Sequence, residues 1–193
     1  MRCCLIGGNG FIGSHLAPLL EASGRDLTVV GRSGAPARKL PPRAKYVCGD
    51  YGDQDLLRKL IAQTDELIDL AYATVPQTSF ADPMFDLQAN LPPSVAMLRI
   101  AAELGLRRVV LMSSGGTVYG AAQSLPIGEE HPTDPISPYG ITKLTIEKYG
   151  LMYHRLRGLA VIIVRPGNAF GPGQTPEAGQ GFVATAIARI LSN

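Results

Sequence analysis

The stretch CLIGGNGFIGSH, residues 4–15, constrains this chain more than any other. Three glycines lie three apart, Gly7, Gly10 and Gly13. They follow RCCLI (2–6), an apolar run that reads as a short buried strand. They open Phe11–Ala22, where Phe11, Ile12, Leu16, Leu19 and Leu20 recur at helical spacing. A glycine triplet alone is a common turn signal. Between a strand and a helix it has a sharper meaning. One glycine makes the tight turn, one lets backbone approach a pyrophosphate, and one lets the helix pack on the strand. The helix N-terminus then presents free N–H groups and the positive end of its dipole to phosphate. The triplet is read here as a dinucleotide cradle.

The rest of the chain alternates short β-rich apolar runs with helical segments. Strands are predicted at 27–30, 46–47, 66–70, 108–112 and 160–164. Helices are predicted at about 53–62, 83–104, 138–156 and 181–191. Such alternation predicts right-handed βαβ units and a Rossmann-type, doubly wound parallel α/β sheet. Pro92 and Pro93 lack N–H groups, so the carbonyls of Gln88 and Ala89 lose their helical partners. A kink or break is expected there.

Composition excludes several classes. The net charge of the 193 residues is +2 with no Lys/Arg run, so nothing points to a nucleic-acid partner. Arg32, Arg38, Lys39 and Arg43 fall in a Gly/Pro-rich stretch; all but Arg32 read as solvated loop charges. No apolar run reaches the ~18 residues that a membrane span needs. The start carries no secretory pattern, so a cytoplasmic protein is expected. Cys3, Cys4 and Cys48 show no ligand spacing, and His15, His131 and His154 do not cluster, so no metal is expected. The thiols read as buried and reduced. Cys3 and Cys4, adjacent on a strand, should point to opposite faces.

Tyr139 and Lys143 in SPYGITK stand four apart, on one face of a helix. Ionising a free tyrosine at pH 7 costs roughly 4 kcal/mol, three pKa units at about 1.4 each. A nearby ammonium lowers that cost, which is a physical reason to place a lysine one turn after a tyrosine acting as general base.

The Gly-x-x-Gly-x-x-Gly spacing and the Tyr–Lys pair together resemble the extended short-chain dehydrogenases, in the NAD-dependent epimerase/dehydratase family that includes UDP-glucose 4-epimerase. GGNGFIG matches the family's cofactor loop, including Phe11 and Ile12. GDYGD carries Asp50 and Tyr51 toward the adenine. LAYA places Leu70, Ala71 and Tyr72 along the ribose. Asn90 falls where the family has a helix asparagine. SSGGTVYG, with Ser113, resembles the active-site strand end. RPGNAFGPGQ carries Pro166 beside the nicotinamide and Asn168 toward substrate. The resemblance implies epimerisation of a nucleotide sugar. Tyr139 takes a hydroxyl proton while hydride passes to nicotinamide, and a keto-sugar rotates and is reduced on its other face. Lys143 binds the nicotinamide ribose and lowers the Tyr139 pKa. It also implies homodimer pairing through the helices at 83–104 and 138–156.

Three departures qualify the match. The family's C-terminal domain is expected to be missing, so the resemblance makes residues 1–170 the NAD(P)-binding domain and 171–193 the beginning of a substrate-binding region. The family's Ser/Thr four residues before the motif tyrosine, here Tyr119, is Gly115, so Ser114 or Thr117 supplies the hydroxyl. The second strand ends Gly31-Arg32, where an NAD site favours an acidic residue; a guanidinium there suits the 2′-phosphate of NADP. NAD and NADP both stay open. The competing readings are an NADP-dependent sugar-nucleotide reductase or dehydratase, and a non-catalytic dinucleotide sensor or scaffold. Gly116-Thr117 in place of the dehydratase Asp-Glu pair counts against dehydration.

Overall fold

The computed structural model describes residues 1–174 and 181–192. The chain runs β1 (Arg2–Ile6), α1 (Phe11–Ala22), β2 (Asp26–Gly31), β3 (Lys45–Cys48), α2 (Gln54–Ala62), β4 (Glu66–Asp69), α3 (Pro76–Ala81), α4 (Pro83–Glu103), β5 (Arg108–Met112), α5 (Pro138–Arg157), β6 (Val161–Val164) and α6 (Phe182–Leu191). The six strands form one sheet in the order β3-β2-β1-β4-β5-β6, and every pairing is parallel. This is the doubly wound sheet expected from the alternation of strands and helices.

Both faces of the sheet are covered near its centre, so the central strands read as unbroken apolar runs rather than as alternating ones. On one face Cys4, Ile6, Leu67, Val109 and Leu111 pack with Leu57 and Ile61 of α2, Met97 and Ala101 of α4, and Ile146 of α5. On the other, Cys3, Leu5, Leu27, Val29 and Ile68 meet Ala17 and Leu20 of α1. Cys3 and Cys4 therefore do face opposite ways, and burial pushes both thiols up to about 12. Cys48 is exposed at the end of the edge strand β3, against the expectation that all three are buried. Among the described residues no group of His, Cys, Asp and Glu could hold a metal ion, and no helix is long and apolar enough to cross a membrane.

Two further expectations change. Of the kink or break expected at the two prolines, the break does not occur, because α4 is continuous through Pro92 and Pro93. Its following turns bury Ser94, Met97, Leu98, Ile100 and Ala101, and that packing outweighs the backbone bonds the prolines remove. A short extra helix, α3, precedes α4. Pro76 occupies its first turn and Thr78 Oγ1 accepts the Val75 N–H at 3.0 Å. Of the region 171–193, residues 175–180 and 193 lie outside the described residues.

Candidate active site

The connections leaving β1 and β4 diverge, and a crevice opens at the carboxyl ends of these strands, as the doubly wound topology requires. A cleft of about 1100 Å³ fills it. From the α1 side come Gly7, Gly10, Phe11, Ile12 and Gly13. Leu70 and Tyr72 follow β4, and Ser113, Ser114 and Thr117 follow β5. Tyr139 and Lys143 come from α5 on the other face of the sheet, and Pro166 and Asn168 follow β6. The fold thus gathers residues from Gly7 to Ile190, nearly the whole length of the chain, around one space.

The glycine loop is shaped for an anion. Gly7 has φ +73°, and a Cβ there would lie 2.8 Å from the Ala71 nitrogen. A Cβ at Gly13 would collide with the Gly8 backbone. Gly10 caps α1 with no side-chain hydrogen bond, and the first turn carries no acidic residue. The amide end of the helix is left bare toward the cleft, which suits phosphate.

The start of α5 is pinned from several sides. Ser137 Oγ accepts the Gly140 N–H at 3.1 Å, and Pro138 fills the first helical position. Ser79 Oγ of α3 accepts the Tyr139 N–H at 3.2 Å. Lys143 is buried, and its ammonium donates to the Met112 carbonyl at 2.7 Å. It lies 3.9 Å from the centre of the Tyr72 ring and 5.8 Å from that of Tyr139. The two tyrosine rings meet edge to face at 4.8 Å.

Charge at this wall differs from expectation. Burial pushes the Tyr139 phenol up to about 12, the Asp86 carboxylate adds to that, and the Ser114 hydroxyl opposes it. Lys143 is not the dominant influence on Tyr139. Its own pKa falls to about 8 through burial, against the support of Asp69, Asp86 and Glu147. Asp69, buried at the end of β4, is raised to about 6 by desolvation, with Lys143 and the Ala71 N–H pulling it down. Protonated tyrosine is therefore the resting form, and additional positive charge at this wall would make the phenolate more accessible near neutral pH.

Of the two candidate hydroxyls, Ser114 faces Tyr139, whereas Thr117 Oγ1 is buried on the cleft with no hydrogen-bond partner among the described residues. The glycine at 115 has a steric cause. A Cβ there would lie 2.8 Å from the Arg165 carbonyl and 3.1 Å from that of Pro166.

Five expected cofactor residues do not line this cleft: Arg32, Asp50, Tyr51, Ala71 and Asn90. Asn90 is fully buried; Oδ1 accepts from Ala73 N at 2.8 Å and Nδ2 donates to Asp86 O at 2.7 Å, so it shapes the loop after β4. Tyr51 donates to the Asn90 carbonyl at 3.2 Å. Asp50 Oδ1 accepts the Gly52 N–H at 2.7 Å, and Ala71 N donates to Asp69 at 3.0 Å. Arg32 is exposed.

Sequence reasoning missed the buried acids. Asp86 accepts from Thr74 and, at 2.7 Å, from Thr142. Glu147 accepts from Ser113 and holds Arg165 through Nη2 at 2.6 Å and Nε at 3.0 Å. Arg165 in turn donates to Tyr119 Oη at 3.0 Å. Glu147 had a signal, its place four residues after Lys143. The charged Asp69 inside the apolar run ELIDL was another.

Comparison with known proteins follows the same lines. A family model described as the NAD dependent epimerase/dehydratase family matches residues 3–193. The UDP-glucose 4-epimerase of Mycolicibacterium smegmatis is 35% identical over 199 residues, covering 100% of this chain and 64% of that protein. A crystal structure of UDP-glucose 4-epimerase with UDP-glucose from Thermotoga maritima superposes with TM-score 0.91 at 29% identity, covering 100% of this chain and 63% of that one. The Thermus thermophilus UDP-glucose 4-epimerase in complex with NAD gives TM-score 0.86 at 28% identity over 97% of this chain and 61% of that one. The chain spans about three fifths of the length of these relatives.

Proposed function

This chain belongs to the NAD dependent epimerase/dehydratase family, and we propose that it carries the dinucleotide-binding and catalytic half of a nucleotide-sugar epimerase of the UDP-glucose 4-epimerase type. Residues 1–170 form the binding domain in this reading, and the segment from 171 begins the substrate region. The observation that carries it is the meeting of Tyr139 and Lys143 with the bare amide end of α1 in one cleft.

The residues fit an NAD(P) dinucleotide. Gly7, Gly10, Phe11, Ile12 and Gly13 would hold the pyrophosphate. Leu70, Tyr72, Ser113 and Pro166 would line the nicotinamide half, with Lys143 on its ribose and Ala71 in the loop that carries Leu70 and Tyr72. Arg32, Asp50 and Tyr51 would serve the adenosine half, and Asn90 supports from behind. The dinucleotide, when bound, supplies reversible hydride acceptance. The protein's part is to move a proton. Tyr139 Oη takes it from a sugar hydroxyl and returns it, Ser114 steadies the phenol, and Thr117 Oγ1 meets the same sugar oxygen. Lys143 keeps a positive charge at this wall, and Asn168 contacts substrate. UDP-hexoses are the substrates we assign, with the cytoplasm as the site of action and pairing through α4 and α5.

The test is Tyr139→Phe in the full-length protein, assayed for interconversion of UDP-glucose and UDP-galactose. General acid–base catalysis contributes about 10²–10⁴-fold, so turnover should fall by that order while dinucleotide affinity holds. Unchanged turnover would refute the mechanism.

One observation favours a second reading of the cofactor. A Cβ at Gly31 would lie 2.8 Å from the Tyr46 hydroxyl, which itself donates to Ser33 O at 2.7 Å. An acidic side chain on the end of β2 is thereby disfavoured, and Arg32 follows it, exposed. NADP use, and with it a reductase, draws its support from this corner.

A further inference from the structure

Arg38, which sequence reasoning leaves among solvated charges, bonds to two separate segments beside the cleft. Its backbone N–H donates to Asn9 Oδ1 of the glycine loop at 3.2 Å. Its guanidinium Nη2 donates to the Gly173 carbonyl at 2.7 Å. The segment it reaches is a turn, closed by the Gln174 N–H to the Gly171 carbonyl at 3.3 Å. Gly173 sits at φ +80°, and a Cβ there would come 2.8 Å from Arg38 Nη1, so the turn is fitted to the guanidinium.

A second pin holds the same turn. His15 Nε2 lies 2.9 Å from the Pro172 carbonyl, and since a carbonyl only accepts, that nitrogen donates. The His15 ring is itself set edge-on against Phe11, one of the residues at the bare end of α1. Gln174 at the end of the turn lines the same cleft as Gly7, Gly10, Phe11, Ile12 and Gly13. The turn therefore lies beside the phosphate cradle and is tied to α1 on one side and, through Arg38 and Asn9, to the glycine loop on the other.

We propose that Arg38 is a positioning residue that latches the 171–174 turn along the glycine loop and so slows release of a bound dinucleotide. The proposal rests on the reading of the glycine loop as a dinucleotide site. A latch of this kind acts on the exit rate more than on the entry rate, because it contributes only once the turn has closed. A redox-neutral reaction that recycles its cofactor in place gains from slow release.

The experiment follows the release of NADH, and of NADPH in a parallel run, by loss of fluorescence after mixing with excess oxidised dinucleotide. It compares the wild-type protein with Arg38→Ala, Arg38→Lys and His15→Ala. Arg38→Ala should release the dinucleotide about tenfold faster, equivalent to about 1.4 kcal/mol, with a smaller change in the association rate. Arg38→Lys, which keeps a charged donor, should recover part of the retention, and His15→Ala should also speed release. Hydrogen exchange without any dinucleotide provides an independent readout. Amides of 171–174 should exchange faster in Arg38→Ala while those of β1 and β4 do not, which a general loss of stability would not produce. Unchanged release in Arg38→Ala, with wild-type binding intact, overturns the latch alone. Failure of the wild-type protein to bind either dinucleotide overturns the functional reading, and the latch with it.

Discussion

Restoring the family's missing hydroxyl by Gly115→Ser should damage the protein rather than improve it. The new Cβ would stand 2.8 Å from the Arg165 carbonyl and 3.1 Å from the Pro166 carbonyl. Neither can retreat easily. The Gly115 N–H is already bonded to the Pro166 carbonyl at 2.8 Å, and the Arg165 side chain is clamped by buried Glu147 and by Tyr119. Overpacking of a tight site costs about 1–3 kcal/mol. For a chain of this size each kcal/mol lowers Tm by about 2–4 °C, so a fall of about 2–12 °C is expected. The loop must also shift to admit the serine, carrying Ser114 and Thr117 with it, so turnover should not rise. Calorimetry and the epimerase assay on Gly115→Ser decide the matter. A variant that melts with the wild type and turns over faster would show that the carbonyls yield and that the hydroxyl belongs at 115.

Thr117→Val removes a buried hydroxyl that has no partner among the described residues; its Tm should hold or rise by a few degrees while turnover falls, the opposite pairing from an ordinary packing mutant. Lys143 loses its proton as pH rises through about 8, so dinucleotide affinity measured by calorimetric titration should decline across that range, and Asp69→Asn, removing the foremost carboxylate supporting the ammonium, should move the decline to lower pH. The folded protein holds the Asp69 proton up to about 6, whereas an unfolded aspartate releases it near about 4. Wild-type stability relative to Asp69→Asn should therefore fall between those values, as denaturant titrations across pH would show. Glu147→Ala leaves Arg165 and Ser113 without their shared buried partner and should cost about 3 kcal/mol or more in urea unfolding. Arg32→Ala should weaken NADP⁺ binding by roughly tenfold, the loss of one charge-assisted contact, with little effect on NAD⁺; equal effects on both would assign Arg32 no part in the choice.

The local patterns in this chain were legible because each rests on near neighbours. Arg2–Ile6, Phe11–Ala22 and Arg108–Met112 form at the expected residues, and the other expected elements begin and end within a residue of expectation, whereas α3 carries no such signal and was not expected. The glycine spacing and the Tyr139–Lys143 interval likewise encode one turn of structure each. What could not be read depends on contacts made across the sheet. Pro92 and Pro93 carry a local signal to break, overruled by the packing of the turns that follow them. Asn90 matched a cofactor position by resemblance, yet both ends of its amide are consumed inside the protein, by Ala73 and Asp86. Arg38 looked solvated because its partners, Asn9 and Gly173, lie 29 and 135 residues away.

The buried charges follow a logic that only the fold reveals. Tyr139, Lys143 and Glu147 recur every four residues and so form one stripe along α5. The tyrosine reaches the cleft, the lysine meets the end of β5 through Met112, and the glutamate secures both the strand end at Ser113 and β6 through Arg165. Across from this stripe, Asp86 of α4 receives Thr142 and Thr74, and Asp69 ends β4. A single buried ammonium is thus surrounded by three carboxylates, which oppose the loss of charge that burial favours. One of these acids, Asp86, also opposes ionisation of Tyr139. The arrangement stores positive charge at Lys143 while holding the phenol neutral, so that further positive charge entering the cleft would favour loss of the Tyr139 proton.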